Sequence, residues 1–196
     1  MERAKKLLNS LKSAPAGRII FFSDEKTFTV DPVRNRQNER YLKHKDDDPE
    51  VVEDEDRFID KTKHPASLMM LGVVASSGEV CPPVWFPVGY RLVSKDYIAA
   101  VEKTVKPWIE SVMIKHPGKT YVFQQDGAPA HTAAATQAYL GTSLEAFWPK
   151  DYWPPSSPDC NPLDYSIWWH IESKACRRRH NSLISCLLYT SDAADE

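Results

Sequence analysis

The chain has 196 residues, 42% of them hydrophobic, a size and composition that suit one domain with a real core and exclude a disordered tail. No apolar run reaches the ~18 residues of a membrane span, and no apolar stretch follows the opening Met1-Glu2-Arg3-Ala4-Lys5-Lys6, so neither a span nor a secretory signal is expected. The net charge of −2 argues at first against nucleic acid, but eight acids fall between Asp46 and Asp56, and taking those eight away turns −2 into +6, a mildly basic body compatible with DNA.

Residues 3–12 are basic and amphipathic and predict a short helix. Residues 18–30 open with Ile19-Ile20-Phe21-Phe22, an unbroken apolar run that predicts a strand buried on both faces. Residues 31–65 are polar, without a period, and predict a long excursion. Residues 68–76 predict a second buried strand, ended by Ser77-Gly78. Ser94 is expected to cap a helical stretch whose apolar residues Tyr97, Ile98, Val101, Val105, Trp108, Ile109 and Val112 recur at helical spacing. Pro107 should kink or split that stretch. A third strand is expected over 120–125 and a turn at Gly127-Ala128-Pro129-Ala130. A helix should follow from about His131 to Leu140. Residues 145–148 read as one more short strand, and a proline-rich loop from Pro149 to Pro162 leads to a last helix. Strands alternating with helices predict an α/β fold with a mixed sheet. Cys81, Cys160, Cys176 and Cys186 stand far apart, which points to neither a zinc ribbon nor a disulfide framework.

Three carboxylates bear on chemistry. Asp24 and Asp126 each sit where an apolar strand turns polar, and ligands of α/β sheets gather at the carboxyl ends of strands. If the two strands are neighbours, both acids project at one rim, where they repel unless a cation lies between them. Oxygen ligands there suit Mg²⁺ or Mn²⁺. Taken singly, each is also readable as an ordinary solvated or turn-forming strand-end acid. The third candidate is Asp164. Asn161-Pro162-Leu163-Asp164 reads as an N-cap, a proline at the first helical position and an acid in the first turn, which needs no catalysis to explain it.

The order of three longer stretches changes the balance. They are Ser23-Asp24-Glu25-Lys26-Thr27-Phe28, then Gln125-Asp126-Gly127-Ala128-Pro129-Ala130-His131-Thr132, then Trp153 through Asp164 with Pro154-Pro155-Ser156-Ser157-Pro158-Asp159 and Asn161-Pro162-Leu163-Asp164. This succession resembles the mariner-type transposases of the DDE superfamily over residues 15–184. The resemblance implies a ribonuclease H-like fold: a mixed sheet flanked by helices, with a long polar insertion after the first strand. It implies that Asp24, Asp126 and Asp164 are catalytic and bind two divalent ions, Mg²⁺ or Mn²⁺. Thirty-seven residues separate Asp126 from Asp164, as in an Asp-Asp-Asp branch of that family. The implied activity is DNA strand cleavage and strand transfer in the nucleus. The implied partners are transposon ends and target DNA, with a homodimer admitted and neither membrane nor small-molecule cofactor expected.

Other residues carry weaker expectations. Glu25 should face away from Asp24 and be structural. His131 is open between contacting phosphate, orienting a neighbour and making local helix-start bonds. Asp159 reads as a loop acid and Asn161 as a cap alone. Trp153, Trp168 and Trp169 suit packing or an interface better than base stacking. Arg177-Arg178-Arg179 is a short basic cluster. Residues 1–14 read as a linker-like segment, 15–184 as the catalytic domain and 185–196 as a tail outside the family pattern. The resemblance implies helix-turn-helix modules ahead of the catalytic strand, and none is expected within these 196 residues. A transposon-derived interaction fragment without catalysis is therefore the competing expectation.

Overall fold

A computed structural model describes residues 2–12, 17–31, 62–155, 157–176, 179–180, 182 and 185–190. Most of the expected polar excursion, residues 32–61, lies outside the described residues, as do Arg177, Arg178 and the end of the tail. The chain divides into two compact units, one of residues 1–27 and 68–169, the other of residues 28–67 and 170–196.

The first unit carries the sheet core. Helix α1 spans Glu2–Lys12. Strand β1 spans Ile19–Thr29, β2 Ser67–Ala75, β3 Val84–Trp85 and β4 Tyr121–Gln124. The strand order is β3-β2-β1-β4, with β4 parallel to β1 and β3 antiparallel to β2, the mixed sheet expected. β-branched and aromatic residues fill these strands because they fit a pleated, packed surface. On one face Phe21, Leu71, Val73 and Phe123 meet a helical stripe of Tyr97, Val101, Val105, Ile109 and Val112. Phe21 is fully buried and meets Trp108 and Tyr121 edge-on, with ring centroids 5.3 and 5.6 Å away. On the other face Val122 packs with Leu7 of α1, Trp148 and Trp153.

The stripe's helix splits as Pro107 requires. Helix α2 (Ser94–Ala100) runs into a π-helical turn at Val101–Val105 and then into α3 (Lys106–Lys115), with Pro107 in the first turn of α3. Ser94 does not cap it. The cap position is Val93, and the Ser94 hydroxyl bonds Thr136 Oγ1 at 2.7 Å instead. The helix expected from His131 is two helices, α4 (Pro129–Thr132) and α5 (Ala134–Ser143), because Ala133 is extended at φ −56°, ψ 140°. Residues 145–148 are not a strand. They make one parallel bridge, Phe123 to Phe147, with hydrogen bonds from Phe123 N to Ala146 O and from Trp148 N to Phe123 O. After a 3₁₀ turn at Pro158–Cys160, a π-helical turn at Leu163–Ile167 leads into α6 (Trp168–Ala175).

In the second unit the Asp31 carboxylate accepts bonds from Thr62 N (2.7 Å) and Thr62 Oγ1 (3.1 Å), and Val30 O accepts from His180 N at 2.9 Å. None of the four cysteines is in a disulfide.

Candidate active site

The strands that carry Asp24 and Asp126 are parallel neighbours. The register pairs Phe22 with Gln124, and each acid lies two residues further on. β4 stops at Gln124, ahead of Asp126, whereas β1 runs to Thr29, filling nearly all of the expected 18–30, so Asp24 lies inside its strand and not at its end. It is 8% exposed, and its Oδ2 accepts a hydrogen bond from the Trp168 indole Nε1–H at 2.5 Å. Burial pushes its pKa up to about 7. The Trp168 bond pulls the other way, while the charges of Asp164, Glu25 and Asp126 add to the rise.

Asp126 is held differently. Its Oδ1 accepts from the Ala128 amide at 2.9 Å, closing the turn that Gly127 begins, and pairs with His131 Nδ1 at 2.5 Å. Burial opposes ionisation here too, but the His131 bond and charge outweigh it, and the carboxyl lies below its ordinary range. His131 is fully buried, and its Nε2 lies 3.0 Å from Glu25 Oε1. Burial would neutralise this ring. The two carboxylates override it and raise its pKa to about 10. Gln125 and Gln137 both donate to the His131 carbonyl, which fixes its backbone.

Two sequence expectations change as a result. Glu25 does alternate away from Asp24, but it reaches Asp126 through His131, so it is more than structural. His131 orients neighbours and, being buried, offers nothing to a phosphate.

Asp164 lies in the π-helical turn. Burial and the Asp126 charge raise its pKa, and a hydrogen bond with Asp24 and the Lys26 charge partly offset that. Asn161 is more than a cap. Its Oδ1 accepts from Leu163 N at 3.1 Å, and its Nδ2 donates to Ser23 O at 3.3 Å, tying the helix start to the residue before Asp24. Asp159 is exposed in the 3₁₀ turn. Trp153 and Trp168 are buried, as expected for packing residues, while Trp169 is 47% exposed.

The three acids thus come from β1, from the turn after β4 and from the start of the last helical run; the charges of Asp164 and Asp126 act on Asp24, and that of Asp126 on Asp164. Asp126 and Asp164 line a cleft of about 540 Å³ with Gly127, Trp153, Arg3 and Lys150. Among the described residues, no three His, Cys, Asp or Glu side chains have closed into a cation cage. The Trp168 and Glu25 contacts had no signal in the sequence, since a helical Trp reads as core. His131 sat in the motif with its role open.

No model of a known protein family matches the chain. Among curated proteins it is similar to the transposable element Tcb2 transposase of Caenorhabditis briggsae, 33% identical over 76 residues, which is 39% of this chain and 25% of that protein. It is also similar to the Tc1 transposase of Caenorhabditis elegans, 30% identical over 73 residues, 37% of this chain and 24% of that protein. The matched stretch thus spans about a quarter of each relative's length. Among solved structures, the Mos1 transposase paired-end complex with the left transposon end superposes with a TM-score of 0.68 at 19% identity, covering 97% of this chain and 51% of that one. The catalytic domain of Mos1 mariner transposase gives 0.62 at 18%, covering 97% and 78%. Other Mos1 catalytic-domain structures contain Mg or Mn. The chain has the fold of that catalytic domain, the ribonuclease H-like architecture expected from its motifs.

Proposed function

We propose that this chain, a relative of the mariner/Tc1-type transposases with the fold of their catalytic domain, carries out divalent-metal-dependent DNA strand cleavage and strand transfer. One observation carries the reading: Asp24, Asp126 and Asp164 converge from three separate elements, close enough that Asp164 and Asp126 oppose the ionisation of Asp24 and Asp126 opposes that of Asp164. A buried carboxylate whose ionisation its acidic neighbours oppose belongs to a donor set short of a cation, and an all-oxygen set suits Mg²⁺ or Mn²⁺. The Mos1 structures with Mg and Mn support the same choice.

Asp24, Asp126 and Asp164 would hold the metal. Two ions are proposed, because an in-line displacement has both an attacking and a leaving oxygen to stabilise. When bound, such ions supply Lewis acidity and neutralise phosphate charge. The chain's own residues do the rest. His131 fixes the Asp126 carboxylate through one ring nitrogen and Glu25 through the other. Arg3 and Lys150, on the same cleft as Asp126 and Asp164, offer positive charge to a phosphodiester backbone. Transposon ends and target DNA are the proposed substrates, a homodimer the proposed assembly and the nucleus the proposed compartment.

A nicking assay on supercoiled plasmid tests this, with Mg²⁺, Mn²⁺, Zn²⁺ or a chelator added to metal-free protein. Nicking with Mg²⁺ or Mn²⁺ that the chelator abolishes is expected. Folded protein that nicks with no metal, or never nicks at all, contradicts the proposal and favours a fold retained for interaction alone.

A further inference from the structure

We propose that Trp168 is a positioning residue for Asp24, and that Gly72 is the notch in β2 that lets the Trp168 ring reach it. The proposal rests on the metal-binding reading above and adds how the buried member of the acid set is aimed.

Asp24 lies mid-strand, where little water reaches it, so its oxygens must find partners in the protein. The partner on Oδ2 is an indole N–H, a donor that neither titrates nor accepts. It fixes one oxygen of the carboxylate and leaves the remaining lone pairs for a cation. A lysine in its place would add a competing positive charge. A hydroxyl, free to rotate, would fix the oxygen less well.

Trp168 is itself fixed. It is 3% exposed and begins α6 four residues after Asp164, so one helical run delivers both an acid and the donor that orients a second acid. The far edge of its six-membered ring lies against β2 at Gly72. A Cβ built there falls 2.6 Å from Trp168 Cη2 and 3.2 Å from Cζ2, closer than side chains tolerate. Any residue but glycine at this point of β2 pushes the ring, and the ring carries the N–H. Glycine weakens a strand interior, so its presence in β2 needs such a close approach to explain it.

Partners that orient a metal ligand typically matter 10- to 100-fold in metal affinity. Mn²⁺ affinity of the full chain, measured by electron paramagnetic resonance of the free ion, should therefore fall about 10- to 100-fold in Trp168→Phe, which keeps an aromatic ring but loses the donor. Gly72→Ala should weaken it in the same direction while leaving Asp24 and Trp168 themselves intact. Ile109→Val, a core change on the opposite side of the sheet, should leave the affinity unchanged, which separates aiming from general loss of stability. In the metal-free protein, the ¹⁵N-indole resonance that Trp168→Phe deletes should move in Asp24→Asn and in Gly72→Ala. If the parent binds Mn²⁺ and both variants bind it equally well, the positioning role is overturned while the metal reading stands. If Trp168→Phe does not fold, Gly72→Ala decides alone. A parent that binds no Mn²⁺ overturns both.

Discussion

Replacing His131 by Phe keeps a ring against Tyr97, whose centroid lies 4.3 Å from that of the imidazole, but removes both nitrogens from between Asp126 and Glu25. A hydrogen bond to a charged group contributes about 1.5–3 kcal/mol, so two lost bonds amount to about 3–6 kcal/mol. The Asp126 side chain is 35% exposed and regains water, whereas that of Glu25, at 12%, regains little. The lower end, about 3 kcal/mol, is therefore the expected loss. The sign with pH follows from the ring's pKa of about 10, raised from 6.5. The folded state holds the proton more tightly, so this stabilisation is complete below about pH 6.5 and is lost as the pH climbs through about 10. Urea unfolding of metal-free parent and variant between pH 6 and 10 measures it. Their difference should be flat near pH 6 and shrink on the alkaline side. Adding Glu25→Gln to the variant should recover part of the loss, because it removes the stranded carboxylate. A variant within about 0.5 kcal/mol of the parent, or a gap that widens above pH 8, refutes the charged bridge.

Gln124 is fully buried, and neither its amide nitrogen nor its amide oxygen has a partner among the described residues. Gln124→Met should raise the urea midpoint, by about 1 kcal/mol in stability, because an unmade buried hydrogen bond costs at least that. A lowered midpoint would mean the amide is satisfied after all. Asn161→Ala loses the bond to Leu163 N and the tie to Ser23 O. It should cost about 1–2 kcal/mol in urea unfolding, with Mn²⁺ affinity falling too. A stability loss with Mn²⁺ affinity intact would reduce Asn161 to the simple cap that the sequence suggested.

The strands were legible because apolar runs such as Ile19-Ile20-Phe21-Phe22 leave a chain few alternatives, and the stripe from Tyr97 to Val112 fixed the helix that covers them. Their edges were less legible. β1 fills nearly all of the expected 18–30, yet Asp24, where the run turns from apolar to polar, is interior to the strand and not at its end. Pro107 announced a break, but the π-helical turn that absorbs it is a backbone adjustment with no residue signature of its own. Ser94 looked like a cap, yet Thr136, forty-two residues away, competes for its hydroxyl. The same limit applies at the site. Motif order singled out Asp24, Asp126 and Asp164, whereas the bonds around them, from Trp168 to Asp24, from Glu25 to His131 and from Asn161 to Ser23, join residues more than a hundred positions apart.

Asp164 and Asp159 lie five residues apart on either side of the Asn161-Pro162 helix start; Asp164 lies close enough to Asp126 and Asp24 for the Asp126 charge to raise its pKa and for its own charge to raise that of Asp24, whereas Asp159 is exposed in the 3₁₀ turn. Changing either to Asn removes a charge at nearly constant shape. The decisive measurement is Mn²⁺ titration with strand nicking for Asp164→Asn and Asp159→Asn beside the parent. Asp164→Asn should lose metal affinity and nicking by at least about a hundredfold, a loss of about 2.7 kcal/mol or more in transition-state stabilisation, while remaining folded. Asp159→Asn should keep most of both. An Asp164→Asn protein that still binds Mn²⁺ and cuts DNA, beside an Asp159→Asn protein that does not, would contradict the account.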